Sequence, residues 1–249
     1  MTELRLLTFN ALMRGDVRIR LRELGTILDR SGYDIVCLQE VMYRSNVRLF
    51  ARSYEHRVFS GSVLLKGGLV LLSRWPITRS RFIRYPITRP LRREQLMRKG
   101  AQLAVVDTPA GELAVVNTHL SANRADDWSP DNPYTVIART ELRRLAAATA
   151  TLAPALPLVA AGDFNVPRDS STLRDFATAA GLRDALAGDN GPTYRPTPQF
   201  PAPPALDQVL VRGLSVTGAR PVFQAAVRIA DGREVFLSDH YGLEAELVR

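Results

Sequence analysis

Apolar residues in this chain fall into short runs that stop on polar side chains. Leu158-Val159-Ala160-Ala161 is one such run. It is too short for a helix and fits a buried strand, which passes through Gly162 into Asp163-Phe164-Asn165 before Pro167 prevents any further ladder. Two residues apart at a strand end, the Asp163 carboxylate and the Asn165 amide can point the same way. Near the N-terminus Leu4, Leu6 and Thr8 alternate with Arg5, Leu7 and Phe9, which predicts a central strand ending on Asn10. Asp16 can cap a helix running to Arg30, with Leu21, Leu24, Ile27 and Leu28 at helical spacing and Gly32 placed as a C-terminal glycine cap. Ile35–Leu38 then reads as a second buried strand that delivers Gln39-Glu40. Strand–helix–strand order implies a parallel pair with a right-handed crossover, so Asn10 and Glu40 belong on one C-terminal rim. That rim is where open α/β sheets bind ligands.

The pattern continues to the C-terminus. A short helix is predicted over Tyr43–Arg52, with strands near His56–Ser60 and Leu69–Leu72. Ala101–Asp107 and Glu112–Asn117 flank Pro109-Ala110-Gly111 as an antiparallel hairpin, and the second strand leads into Thr118-His119. After a polar loop from Ser121, Asn132-Pro133 starts an amphipathic helix reaching about Leu152. A further helix covers about Thr172–Ala180. The segment Gly188–Pro204, rich in Pro, Gly and Asn, reads as a long functional or mobile loop. Leu206–Val211 is a strand with Asp207 near its start. Asp231-Gly232 marks a hairpin between Val227–Ile229 and Glu234–Leu237, and Ser238-Asp239-His240 precedes the last strand, Leu243–Leu247.

Composition narrows the setting. The 249 residues carry no Gly/Ser linker, low-complexity run or fixed-period repeat, so one α/β domain over residues 1–249 is expected. No apolar run approaches the roughly 20 residues of a membrane-spanning helix, and the strand pattern begins at once, which points to a cytoplasmic protein. The lone cysteine, Cys37, lies in an apolar strand and reads as a small buried hydrophobe, excluding an intrachain disulfide and a thiolate metal cluster. A formal charge of +8 favours polyanionic partners, nucleic acid or an anionic membrane surface. Basic residues concentrate between Arg79 and Lys99, either as a solvated face or as a basic rim toward a substrate.

Polar groups therefore gather at strand ends: Asn10, Glu40, His119, Asp163 with Asn165, and Asp239-His240, with Asp207 at a strand's start. Burying carboxylates and imidazoles at so many strand ends is costly unless they are used. His56 reads as an ordinary strand residue. The motifs Thr8-Phe9-Asn10, Leu38-Gln39-Glu40, Asn117-Thr118-His119-Leu120, Gly162-Asp163-Phe164-Asn165, Leu206-Asp207-Gln208-Val209 and Ser238-Asp239-His240 occur in order over nearly the whole chain. Each is weak alone; together they make the sequence resemble the endonuclease/exonuclease/phosphatase superfamily of metal-dependent phosphoesterases.

That resemblance implies a four-layer α/β/β/α sandwich, two mixed sheets face to face with helices outside. It implies Mg2+, with Mn2+ as a substitute, held chiefly by Glu40 with Asn10 alongside and Asp239 in support. His240 would be the general base, oriented by Asp207, with Asp163 the competing proton acceptor. Asp163 and Asn165 would hold nucleophile and phosphate, and His119 would bond a non-bridging oxygen. Asn117, Arg98 and Lys99 are further candidates for binding substrate. The expected reaction is hydrolysis of a phosphodiester in a lipid headgroup or a nucleic acid, and the segment Ser238–Leu243 is similar to sphingomyelinase-like and tyrosyl-DNA-phosphodiesterase-like branches. A monoesterase acting on a small phosphorylated metabolite is the alternative. A non-catalytic binding module is the other, though it would have no need of the intact polar set. Trp75 and Trp128 read as core or loop packing rather than membrane contacts, and no protein partner is inferred.

Overall fold

A computed structural model describes residues 3–60, 67–88 and 98–249. The N-terminal alternation becomes β1 (Glu3–Asn10), followed by α1 (Val17–Arg30), β2 (Ile35–Gln39), a one-turn α2 (Arg44–Val47), β3 (His56–Ser60) and β4 (Leu69–Ser73). Next come β5 (Ile77–Arg84), β6 (Gly100–Thr108), β7 (Gly111–His119), α3 (Pro133–Thr149), β8 (Leu158–Asp163) and α4 (Ser171–Ala180). The chain closes with β9 (Arg183–Asp184), β10 (Asp207–Arg212), β11 (Ser215–Val222), the small hairpin β12 (Val227–Arg228) and β13 (Glu234–Val235), and β14 (Gly242–Val248).

Two six-stranded mixed sheets result, ordered β11-β14-β1-β2-β4-β3 and β5-β6-β7-β8-β10-β9. Each is built around one parallel pair, β1 with β2 and β7 with β8, made parallel by the α1 and α3 crossovers. Leu6, Ile35, Cys37 and Leu71 of the first sheet meet Val106, Val115, Val159 and Val209 of the second in an apolar interlayer. Leu21, Leu24 and Leu28 of α1 cover the outer face of the first sheet. Leu142 and Leu145 of α3, with Leu173 and Phe176 of α4, cover that of the second. This is the four-layer sandwich. No helix among the described residues is long and apolar enough to cross a membrane.

Local signals account for most boundaries. The Asn132 side chain accepts from Tyr134 N at 2.9 Å with Pro133 in the first turn, so α3 begins where expected, and Gly181 in the left-handed region ends α4. The helix expected over Tyr43–Arg52 is split into α2 and a 3-10 turn, Arg48–Phe50. Asp16 stands before α1 but makes no capping bond; its carboxylate pairs with Arg233 at 3.1 Å. Gly32 is not the cap either: α1 ends at Ser31 in extended conformation, and Gly32 instead leaves room for the Arg5 guanidinium, 2.7 Å from where a Cβ would stand.

Candidate active site

Topology explains why distant residues converge. Asn10 closes β1, Glu40 follows β2, His119 closes β7 and Asp163 closes β8, all at the ends of the parallel strands. The neighbours β14 and β10 run antiparallel, so Asp239-His240, just before β14, and Asp207, the first residue of β10, return to the same edge. In register, Asp163 stands opposite His119 on one side and Asp207 on the other. Glu40 and Asn165 both adopt positive φ, 61° and 50°, an uncommon backbone state that aims each side chain out of its ladder.

Asp163 is the centre. It is 2% exposed, and its Oδ2 accepts from Asn10 Nδ2 at 3.0 Å, lies 3.2 Å from His119 Nε2 and 3.9 Å from His240 Nε2. Oδ1 accepts from Asn165 N at 3.0 Å. Burial alone would raise its pKa, but His119, His240 and Lys99 together hold it well below the ordinary carboxylate range. His240 keeps Nδ1 against Asp207 Oδ2 at 2.9 Å, leaving Nε2 turned toward Asp163. Asp207 is itself fixed by Thr193, whose hydroxyl accepts from Leu206 N and Asp207 N.

Glu40 takes Met13 N on Oε2 at 2.8 Å and Asn10 Nδ2 on Oε1 at 3.5 Å. Burial pushes its pKa up, yet His119, the Met13 N–H and Lys99 outweigh burial and leave it below the ordinary value. Asn10 therefore lays one amide group between two carboxylates, Glu40 and Asp163. Asp239 accepts from Ser238 Oγ at 3.2 Å and from the Tyr194 hydroxyl at 3.3 Å. Lys99 is buried, its Nζ 2.7 Å from both His119 Nε2 and Leu120 O. Lys99, His119 and Asp163 thus form a continuous chain of polar contacts.

These groups open into a cleft of about 480 Å3 lined by Glu40, Lys99, His119, Asp163, Asn165, Asp239 and His240. Arg14, Arg124, Asp126, Trp128, Tyr194 and Phe200 are also on its walls. A larger cavity of about 670 Å3, bounded by Arg79, Arg81, Leu152 and Arg249, contains none of the constellation.

Two expected substrate ligands stand elsewhere. Asn117 is fully buried: Nδ2 donates to Leu38 O, Val70 O and Gln102 Oε1, while Oδ1 accepts from Gln39 Nε2. It shares a face with His119 but sits one pleat deeper, so it zips the two sheets together instead of reaching the cleft. Arg98 is exposed, at φ 48°, and does not line the cleft, whereas its neighbour Lys99 does. Of the basic stretch, Arg79 pairs with Glu112 and Arg81 bonds Ala148 O and Thr151. Arg89, Arg92 and Arg93 lie outside the described residues. His56 sits on the edge strand β3, away from the site, and Trp75 packs against the interlayer. Trp128 instead lines the cleft, its Nε1 donating to Asn165 O at 3.0 Å.

The sequence model of the endonuclease/exonuclease/phosphatase family matches residues 7–240, a span that begins inside β1 and ends on His240. The chain belongs to that family. It is 31% identical over 175 residues to an inositol phosphosphingolipids phospholipase C of Schizosaccharomyces pombe; the match takes in 66% of this chain and 40% of the yeast protein's length. The fold resembles that of sphingomyelinase C from Streptomyces griseocarneus (TM-score 0.73, 19% identity, 99% of each chain). It also resembles D. rerio TDP2 complexed with a single-stranded DNA product (TM-score 0.77, 17% identity, 100% of each chain).

The Asp207–His240 pair carries a pH prediction. Burial opposes charge on His240, but Asp207 and Asp163 overcome it and raise its pKa from 6.5 to about 10. Burial also raises Asp207, so both shifts say that the pair holds its proton. A histidine raised on folding stabilises fully below its unfolded value and loses that contribution as pH climbs through the folded one. In metal-free protein, unfolding free energy should therefore fall between about pH 6.5 and pH 10, and His240→Asn should flatten that slope. Denaturant titrations across that range check it; equal slopes in both proteins would reject it.

Proposed function

We propose that this protein is a Mg2+-dependent phosphodiesterase that cleaves the headgroup phosphodiester of a sphingolipid. The observation that carries the reading is the placement of Asp163 between two histidines in a cleft that also holds Glu40 and Asp239. Three residues, Asp163, Asp207 and His240, lie close enough to share an ion. However, Asp207 is fully buried and already spends Oδ2 on His240. The carboxylates of Glu40 and Asp239, on the cleft wall, fit a hard cation better, and they are the residues that would hold it. When bound, Mg2+ would polarise the phosphoryl oxygen and stabilise charge on the leaving oxygen.

The chain's own groups do the rest. His240, with Nδ1 tied to Asp207, offers Nε2 to an attacking water, and Asp163 beside it orients that water by accepting a hydrogen bond. Asp207 and Asp163 hold the His240 pKa at about 10, and positive charge held by Glu40 and Asp239 would oppose them and lower it. His119 and Lys99 supply donors for a non-bridging phosphate oxygen. Asn165, fixed by its Nδ2 bond to Leu120 O, closes the floor.

Identity to the yeast phospholipase C supports a lipid substrate. Arg14 and Arg124 on the cleft wall suit an anionic or polyhydroxylated headgroup better than a choline cation. A nucleic-acid substrate draws support from the +8 charge. The test compares inositol phosphoceramide, sphingomyelin, single-stranded DNA and p-nitrophenyl phosphate, each with Mg2+ and with EDTA. The expected result is EDTA-sensitive cleavage led by the inositol lipid, with Arg14→Ala plus Arg124→Ala raising its KM about three- to tenfold, as two exposed charges allow. Faster turnover of the DNA or of the monoester would sink the lipid assignment.

A further inference from the structure

Arg20 closes the first turn of α1, between the exposed Arg18 and Arg22, yet it is 6% exposed. Among the described residues its guanidinium makes no ion pair with a carboxylate. Nη1 donates to Ala11 O at 2.7 Å and to Leu237 O at 2.6 Å; Nη2 donates to Leu12 O at 2.7 Å and to Arg14 O. Burial lowers its pKa, with Asp239, Asp16 and Glu40 the charges that oppose this. A buried cation near the positive end of a helix, bonded to neutral carbonyls, is unfavourable on each count. Packing alone would be served by an apolar side chain.

The four carbonyls belong to two loops. Ala11, Leu12 and Arg14 lie in the segment after Asn10, which also supplies the Met13 N–H that holds Glu40. Leu237 lies two residues before Asp239 and three before His240. The two loops come from opposite ends of the chain, from the strands β1 and β14. We infer that Arg20 is a positioning residue that clamps the Glu40 side and the Asp239 side of the site at the separation a divalent cation needs. The inference rests on the metal-dependent reading above. The planar fork matters as much as the charge, since a lysine ammonium cannot span carbonyls from both loops in one plane.

Isothermal titration with Mg2+ on wild type, Arg20→Lys and the control Arg22→Ala reads the clamp without any substrate. Arg20→Lys should weaken Mg2+ binding at least tenfold while Arg22→Ala stays within twofold. In turnover, its Mg2+ activation midpoint should rise by the same factor with KM at saturating Mg2+ unchanged. A Kd for Arg20→Lys within twofold of wild type overturns the inference, even if its melting temperature falls. Absence of Mg2+ binding in wild type overturns the metal reading and the inference together. Hydrogen exchange on the unmodified protein gives a second measure should Arg20→Lys not fold. Mg2+ should protect the amides of residues 11–14 and 237–239 together, and protection of one segment alone overturns the clamp.

Discussion

Replacing Asp163 with Asn should lower turnover by about two to four orders of magnitude, the range that general acid–base and orienting groups supply, while leaving the protein folded. The amide keeps the shape of the carboxylate, and its oxygen can still accept from Asn165 N, though its NH2 would then face the Asn10 Nδ2 donor. What it loses is the negative charge facing His119 at 3.2 Å and His240 at 3.9 Å, with Lys99 behind His119. Without that charge nothing at the centre of the cleft orients water against His240, and the two imidazoles and an ammonium are left facing one another. His240→Ala should cost a similar factor, since it removes the base itself. The double variant should be little worse than either single one, because residues that act on one proton lose their effects together. Steady-state kinetics on the best substrate, with circular dichroism to confirm folding, check both. Asp163→Asn retaining more than a tenth of wild-type turnover would remove it from the centre of the mechanism.

Much of this site was legible because strand ends are. A short apolar run that stops on a polar side chain marks both a buried strand and the place where its ladder stops, and β1, β2, β7 and β8 do so at Asn10, Glu40, His119 and Asp163. The burial pattern fails at edges. The strands β5 and β11 went unanticipated because their side chains are mostly exposed or half-buried, so arginines and Pro221 hide the alternation. Asn117 was misplaced for a subtler reason: periodicity puts it on the right face and says nothing of depth, and only the packed sheets show its amide spent on Leu38, Val70, Gln39 and Gln102. Tyr194 gave no signal, since its bond to Asp239 and its edge-on contact with the His240 ring arise from a Pro- and Gly-rich loop laid against the segment that precedes β14. That loop, expected to be functional or mobile, lines the cleft through Tyr194, Thr197, Gln199 and Phe200. Arg20 was hidden among the arginines of α1.

Gly162→Ala should destabilise the protein by about 3–5 kcal/mol, above the usual cost of a single substitution. Gly162 has φ 143°, which side-chain-bearing residues avoid, and a Cβ there would stand 2.0 Å from Thr118 O and 2.9 Å from Thr118 C and N. The obstacle is backbone of the adjacent parallel strand, so no rotamer relieves it. Moving β7 away would break the ladder at Thr118–Gly162 and at its neighbour, His119–Asp163. Backbone strain and collision can be told apart. Gly188 also has positive φ, 91°, but its Cβ would meet nothing within 4 Å, so Gly188→Ala should cost only the strain of about 1–3 kcal/mol. Urea unfolding of both variants measures the difference, and a Gly162→Ala value within 1 kcal/mol of wild type would reject the collision. Any Gly162→Ala protein that does fold should also lose activity beyond its folded fraction, because the same close approach that admits only glycine sets the distance between Asp163 and His119. At that point in β8, stability and chemistry depend on one interstrand distance.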